Sequence, residues 1–377
     1  MTLPITHFST TSATQLWRVE GPNVWHRDDF ADPDSFSQTL TSSQVSSLMT
    51  ALRAAQARGL APRQMRRSDF HVPDVQRVFR QLAATLQSGR GFALLRGLPI
   101  DDLSDNECRL LFWGIGMQLG VPVNQSRKLE MLAEVRDVGD KIGDPTARAF
   151  RSAGPLRFHT DQCDVLALMC IRGAQEGGQS RIVSSATVHN QLLDNDPDLL
   201  ELLYEPFYFS RQGEELANEL PFYTCPIFAH DGGRFASLFS RTFIENAQRL
   251  AEVPSLSAEQ EQALDAVAEV ADANSISVEL NRGDVQFFNN HTIYHARTDY
   301  RDHVDPAHKR TLLRLWLTVP DGRRLPAPMR ALFGESAPGQ LRGGIAHSSG
   351  QRFSFEDWRA AGWTEKDLAL WQKAVED

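Results

Sequence analysis

The chain has 377 residues, of which 41% are hydrophobic and 23% charged, an ordinary composition for a globular protein with a large core. Its formal net charge is −9 at pH 7, and it contains no run of Lys or Arg, which argues against nucleic acid or an anionic membrane as partner. The first residues lack a signal-peptide pattern, and no stretch reaches roughly 18 apolar residues. A cytoplasmic protein with a small-molecule partner is therefore expected.

The length and the cysteines narrow the architecture further. All-β barrels with added helices reach this length as one unit, so we expect a single domain over 1–377. A homodimer is expected only from the base rate of symmetric assemblies. No C-x-x-C pair is present, so we expect reduced thiols rather than a zinc ribbon or a disulfide framework, at Cys108, Cys163, Cys170 and Cys225.

Residues 1–90 show mainly helix signals and form a predicted N-terminal elaboration with α/β character. Apolar residues recur there at helical spacing, and hydroxyl residues stand at positions suited to helix caps. The elements predicted up to Gly120 are a helix over 44–58 capped by Thr41 or Ser42, a helix over 75–86, a buried strand over 91–100, and a helix that begins at the Ser104/Glu107 capping box.

Short strand-like runs separated by turn residues begin near Pro155. They lie near 165, 181, 285, 292 and 310, and a capped helix over 258–273 interrupts them. This spacing predicts an α+β fold with a mainly β core, a sandwich or barrel, over 91–325. A loop and a helix are expected over 326–377, where the Gly- and Pro-rich part 326–351 is either a lid or an ordinary surface loop.

The central H-x-D motif is the first candidate for chemistry. Iron(II) that activates oxygen is commonly held by two imidazoles and one carboxylate on one face. His159 and Asp161 stand two residues apart in RFHTD, and on a strand such residues point to the same side. H-x-D also begins at His26 and at His303, but polar surroundings there indicate surface turns. We therefore expect His159 and Asp161 to bind a metal.

A third ligand is expected from a later strand. NNHTIYHART offers two histidines, of which His291 follows two asparagines in a turn-like sequence. His295 instead alternates with Ile293 and Arg297 on a strand face. We expect His295 to be the third ligand and His291 to bond the local backbone.

KRTLLRLWLTV predicts a strand with two different faces. One face holds Thr311, Leu313, Leu315, Leu317 and Val319, and the other holds Arg310, Leu312, Arg314, Trp316 and Thr318. On an exposed strand the arginines would meet water. Because one turn and one returning strand separate Arg310 from His295, we expect the Arg310 side chain to lie beside the metal. A guanidinium at that place is suited to binding the carboxylate of a ligand. Arg314 would then hold an anionic group of a substrate.

The chain resembles the taurine dioxygenase and clavaminate synthase-like (TauD/TfdA) family of iron(II)/2-oxoglutarate oxygenases in GFALLRGLPI, GPLRFHTD, GGQSRIVSS, NNHTIYHART and RTLLRLWL. The resemblance implies a double-stranded β-helix, a cupin-like jelly roll with outer helices, and iron at His159, Asp161 and His295. It also implies that Ser180 and Arg310 hold the distal carboxylate of 2-oxoglutarate. Taurine-type members have Thr at the position of Ser180, and Ser keeps the hydroxyl.

The resemblance further implies an Fe(II)- and 2-oxoglutarate-dependent dioxygenase. Such an enzyme uses O2 to hydroxylate a small organic substrate and releases succinate and CO2. Asp161 favours hydroxylation over halogenation, because halogenating relatives replace this carboxylate; desaturation, epoxidation and ring formation stay open. Candidate pocket walls are 124–127 and the aromatic-rich stretch 207–243. Two alternatives remain, a metal-dependent barrel enzyme that does not use 2-oxoglutarate and an inactive binding module.

Overall fold

The fold is built around two β-sheets, seen in a computed structural model that describes residues 16–30, 32–139, 151–231, 234–320 and 322–376. The strands are β1 Ser37–Thr39, β2 Phe92–Arg96, β3 Val121–Pro122, β4 Leu132–Val135, β5 Leu156–His159, β6 Val165–Arg172, β7 Glu176–Gly177, β8 Ser180–Ser184, β9 Phe207–Ser210, β10 Phe222–Cys225, β11 Phe228–Asp231, β12 Arg234–Ser237, β13 Ile276–Val278, β14 Val285–Asn289, β15 Ile293–Arg297, β16 Tyr300–Arg301 and β17 Thr311–Thr318.

The helices lie outside these sheets. They are α1 Ser42–Ala57, α2 Gln76–Gln87, α3 Asp105–Leu119, α4 Ser185–Asn195, α5 Pro197–Leu202, α6 Arg241–Ala247, α7 Ala258–Asn274, α8 Arg330–Phe333 and α9 Glu365–Glu376. The capping predictions are confirmed, because Thr41, Ser104 and Ser257 each form a capping box at the start of α1, α3 and α7. No helix in the described ranges is long and apolar enough to cross a membrane.

The larger sheet has the strand order β1-β2-β14-β6-β17-β3, with β4 also paired to β17. The smaller sheet has the order β13-β8-β15-β5 and is antiparallel throughout. The strands predicted near 165, 181, 285, 292 and 310 are thus confirmed as β6, β8, β14, β15 and β17. The predicted strand over 91–100 is shorter, since β2 ends at Arg96 and Gly97 follows with φ +90°.

Side-chain alternation explains why the sheets pack face to face. In β17, Leu313, Leu315 and Leu317 face away from the smaller sheet and pack with the outer helices α1, α2 and α3. Trp316 on the opposite side joins an apolar cluster with Ile182 and Ile293 of the smaller sheet. The two faces predicted for this strand are confirmed, and the arginine-bearing face points between the sheets. This mainly β sandwich with outer helices is the expected jelly roll.

The segment 326–351 is exposed in part, but its residues 342–346 are buried against the rest of the fold. Arg342 is 1% exposed, and its Nε donates to Asp164 Oδ1 over 2.8 Å. Gly343 has φ +78°, and a Cβ there would lie 2.7 Å from the carbonyl oxygen of Gln162, so only glycine fits this close approach. The backbone of Gly344 donates to the same oxygen over 2.7 Å. Residues 342–344 are therefore hydrogen-bonded to Gln162 and Asp164, which directly follow the H-x-D motif.

Asp164 is the ionic centre of this attachment. It is 1% exposed and also accepts from the backbone of Val319, over 3.2 Å. His291 Nε2 lies 2.8 Å from Asp164 Oδ1. Burial opposes ionisation of Asp164, but Arg342 and His291 outweigh it and lower its pKa to about 2. The expectation that the His291 side chain bonds local backbone is therefore wrong, because it contacts a carboxylate remote in sequence.

We predict that Arg342→Met destabilises the protein by about 3–5 kcal/mol, because it leaves the Asp164 carboxylate buried without its cation. Urea unfolding of the variant and the parent would measure this difference. Arg359→Met is the matched control, since Arg359 and its partner Glu365 are 76% and 81% exposed and such pairs contribute about 0–1 kcal/mol. Equal, small losses for both variants would contradict the structural role of Arg342.

Candidate active site

A cavity of about 700 Å³ lies between the two sheets. Strands of both sheets line it, with Leu166 and Leu168 from β6 on one side and Phe158 from β5 on the other. Each metal-ligand candidate, His159, Asp161 and His295, and each arginine candidate, Arg310 and Arg314, also lines this cavity, as does Ser180. The sequence therefore identified side chains that the fold brings to one place.

The antiparallel register of the smaller sheet brings the two histidines together. His295 of β15 is the direct partner of His159 of β5, and their ring centroids are 4.1 Å apart. Asp161 completes the group: the Nε2 atoms of His159 and His295 lie 4.0 and 3.9 Å from its two carboxylate oxygens. One candidate ligand atom from each residue lies within 4.8 Å of the other two.

The backbone that carries Asp161 into the site is a turn and not the strand that the sequence predicted. The strand ends at His159, so Asp161 does not occupy the next in-facing position of a continuous strand. Hydrogen bonds hold the turn instead: Thr160 N donates to Phe239 O over 2.9 Å, and Asp161 N donates to Asn290 Oδ1 over 3.1 Å. Asn290, from the turn before β15, thus connects the two ligand segments.

Neighbouring polar groups orient the candidate ligands. His159 Nδ1 lies 2.8 Å from Arg157 O, which leaves Nε2 directed to the cluster. Trp316 Nε1 donates to Asp161 Oδ2 over 2.8 Å, and Arg314 Nη1 lies 3.6 Å from the same oxygen. His295 stacks on Phe288 with centroids 5.5 Å apart. These contacts fix the rings and the carboxylate before any ion binds.

The electrostatics suit a divalent cation. Burial, followed by the neighbouring His159, lowers the pKa of His295 to about 3, so its imidazole is neutral at pH 7. Burial opposes ionisation of Asp161, but Arg314 and the two histidines hold its pKa below the usual range. Two imidazoles and one carboxylate are the donor set that non-haem iron(II) takes, so the residues fit the implied metal.

The other H-x-D segments do not contribute to this cluster. His26 and Asp28 are exposed, and Asp305 is an exposed cap of a short 3-10 helix that also contacts His308. Their prediction as surface residues is confirmed. His291 also lies outside the metal-ligand group found among the described residues.

Ser180, Arg297 and Arg310 line one part of the cavity, which we call the arginine end. Ser180 begins β8 and is the direct partner of Arg297 in β15. Arg310 precedes β17, and its Nη2 donates to Gly178 O over 3.2 Å. Gly178 has φ +73°, and a Cβ there would lie 2.9 Å from Arg310 Nε. The second glycine of GGQS therefore leaves room for the guanidinium.

Arg314 is held more tightly than the sequence suggested. Its Nε donates to the buried Gln125 Oε1 over 2.6 Å, and its guanidinium lies 5.0 Å from the Trp316 ring centroid. Gln125, within the predicted pocket wall 124–127, thus positions Arg314 next to Asp161. The aromatic stretch 207–243 is mixed, since Phe207, Phe209 and Phe239 lie in the core while Tyr223 and Phe243 also line the cavity.

Arg211 and Arg352 line a second part of the cavity, which we call the loop end, and sequence reasoning missed both. Each lies 4.0 Å from the same carboxylate oxygen of Glu219. The backbone of Gln212 is left-handed, with φ +56°, next to Arg211. No local pattern marks these residues, because they come from irregular segments that meet only in the folded chain.

Comparison with known proteins identifies the class. The family model described as "Taurine catabolism dioxygenase TauD, TfdA family" matches residues 56–316. The chain is 29% identical over 319 residues to FR-33289 synthase of Streptomyces rubellomurinus (strain ATCC 31215), covering 82% of this chain and 93% of that protein. It is 29% identical over 304 residues to the taurine hydroxylase-like protein SAT17 of Stachybotrys chartarum (strain CBS 109288 / IBT 7711), covering 78% and 77%.

Solved structures share the fold. Asparagine oxygenase in complex with Fe(II), 2S,3S-3-hydroxyasparagine and succinate superposes with a TM-score of 0.61 at 15% identity, covering 75% of this chain and 93% of that one. The non-heme iron oxygenase OrfP in complex with Fe and alpha-ketoglutaric acid gives 0.58 at 19% identity, covering 81% and 99%. These similarities confirm the jelly-roll architecture.

The fold and the His/Asp/His site define a non-haem iron oxygenase. Because the family model spans more than half of the chain, the chain belongs to the taurine catabolism dioxygenase TauD, TfdA family. It is an Fe(II)- and 2-oxoglutarate-dependent dioxygenase, as the resemblance implied.

We predict that Trp316→Phe weakens iron(II) binding about tenfold or more, because Asp161 Oδ2 loses its hydrogen-bond donor. Anaerobic iron(II) titration would measure the dissociation constant. Trp113→Phe is the control, since Trp113 is buried in the helical core and donates to Met65 O away from the cavity. Iron affinity that stays at the parental value in Trp316→Phe would show that this hydrogen bond does not orient the ligand.

Proposed function

We propose that this dioxygenase hydroxylates a small organic substrate at an iron(II) ion held by His159, Asp161 and His295. The observation that supports it best is the convergence of these three side chains on one side of a single cavity. When bound, iron supplies oxygen activation coupled to the conversion of 2-oxoglutarate to succinate and CO2. The chain orients both organic reactants and keeps the Asp161 carboxylate ionised.

The arginine end holds the distal carboxylate of 2-oxoglutarate. Arg310 is 5% exposed, and its Nη1 has no hydrogen-bond partner within the described chain. A buried guanidinium with an unpaired donor favours a bound carboxylate, and the Ser180 hydroxyl lies at the same end of the cavity. This arrangement supports the residue pair expected from the sequence.

The organic substrate occupies the loop end, and an acidic group on it contacts Arg211 and Arg352. Arg314 was the expected partner for such a group, and it remains one candidate. Its guanidinium, however, already contacts Gln125 and lies near Asp161. Arg211 and Arg352 both lie at the outer limit of an ion pair with one carboxylate, Glu219, and both side chains line the cavity, where they can meet an acidic group of a substrate.

The state of the cysteines bears on the cellular location. None of the four cysteines, which all lie in described segments, forms a disulfide, and all four are buried. Reduced thiols suit the cytoplasm, the location we propose. A homodimer and a single catalytic domain over 1–377 likewise remain predictions.

The cofactor assignment is tested by an anaerobic titration of the apo-protein with iron(II) and then 2-oxoglutarate, following the visible charge-transfer band of the chelate. We expect the band in the parent, and we expect Arg310→Ala to raise the 2-oxoglutarate dissociation constant about 10- to 100-fold, the loss of a charge-assisted hydrogen bond. Bound iron without a band would favour a metal enzyme that does not use 2-oxoglutarate. Failure to bind iron would favour an inactive binding module.

The substrate subsite is tested by succinate release with organic acids and their neutral methyl esters. We predict that acids are preferred and that Arg352→Gln raises the KM for the best acid about tenfold or more, while the KM for 2-oxoglutarate stays unchanged. Arg330→Gln, an exposed arginine of the same segment, is the control. Equal turnover of acids and esters would contradict the assignment of Arg211 and Arg352.

A further inference from the structure

Arg297 is a second guanidinium at the arginine end. It stands two residues after His295 on β15, so both side chains point to the inner face of the smaller sheet. Its direct partner across the sheet is Ser180 of β8. Arg297 and Arg310 both lie close to one ring, with guanidinium carbons 4.8 and 5.0 Å from the Tyr300 centroid.

Neither cation has a close counter-charge among the described residues, although Asp137 and Asp302 act on Arg297 and Arg310 from a longer distance. Arg297 and Arg310 are each 5% exposed. Across the part of the chain that the structure describes, neither has a carboxylate within the 4.0 Å of an ion pair. Arginine side chains stay protonated in proteins, so both guanidiniums are charged at pH 7. Two buried like charges are costly unless an anion joins them.

The hydrogen-bond pattern leaves donors for such an anion. Arg297 Nη2 donates to Ser152 O over 2.7 Å and also to Gly154 O, which uses one corner of the guanidinium. Its Nε and Nη1, like Nη1 of Arg310, are buried and have no partner among the described residues. These unpaired donors come from two arginines that line the same cavity.

We infer that Arg297 is a further binding residue for the distal carboxylate of 2-oxoglutarate, acting with Arg310 and Ser180. The inference rests on the proposed function. A carboxylate has two oxygens that accept several hydrogen bonds, so it can take donors from both guanidiniums and from the hydroxyl. One anion would then offset part of the charge that Arg297 and Arg310 bring to the arginine end.

The experiment compares two 2-oxo acids that differ only at the distal end. Iron(II)-loaded enzyme is titrated anaerobically with 2-oxoglutarate and with 2-oxopentanoate, which has a methyl group in place of the distal carboxylate. Both chelate iron, so the charge-transfer band reports each dissociation constant. We expect Arg297→Gln to raise the constant for 2-oxoglutarate about tenfold or more and to leave that for 2-oxopentanoate unchanged.

Two further variants make the result decisive. Arg297→Lys keeps the positive charge but loses the forked pair of guanidinium donors. We therefore expect a smaller loss of affinity, for 2-oxoglutarate alone. This variant replaces Arg297→Gln if the latter does not fold. Arg181→Gln is the control, because Arg181 follows Ser180 on β8 but contacts Asp272 of α7. The inference would be overturned if Arg297→Gln weakened the binding of both acids equally or left the 2-oxoglutarate dissociation constant unchanged. Arg297 would then serve only to hold residues 152–154 in place. No band in the parent would instead refute the proposed function.

Discussion

The register of β15 against its two neighbours determines the geometry of the whole site. It sets His295 against His159 on one side, and it sets Arg297 against Ser180 on the other. A slip of one residue would turn both side chains to the outer face, where Tyr294 and Ala296 pack against helices. The two histidines proposed as iron ligands and the Ser180/Arg297 pair therefore both depend on the backbone pairing of β15.

Buried charged side chains occur in two different arrangements in this protein. Asp164 is fully paired within the chain by Arg342 and His291, as expected for an ion that stabilises structure. Arg297 and Arg310 are equally buried, but among the described residues their guanidiniums donate to backbone carbonyls and lie near an aromatic ring, with no carboxylate at ion-pair distance. The contrast distinguishes a structural ion cluster from the proposed binding site, because the second arrangement leaves guanidinium donors for an anionic ligand.

Local patterns predicted the strands and ligands, whereas long-range contacts were beyond them. The alternation in β17 and the H-x-D context located Arg310, His159 and Asp161, because both depend on neighbours in sequence. The burial of 342–346 accompanies the contact of Arg342 with Asp164, which no local pattern records. Arg297 was recognised only as a strand-face residue, since its lack of a counter-charge is a property of the folded neighbourhood.

The two ends of the cavity differ in how they are built, and this difference bears on specificity. Most residues proposed for iron and 2-oxoglutarate, namely His159, Ser180, His295 and Arg297, lie on paired strands, whose geometry tolerates little change. The loop end is formed by irregular backbone that includes left-handed Gln212 and the segment attached through Arg342. Such segments vary without disturbing the sheets. A chain 29% identical to its relatives can thus keep the same oxidation chemistry while accepting a different substrate.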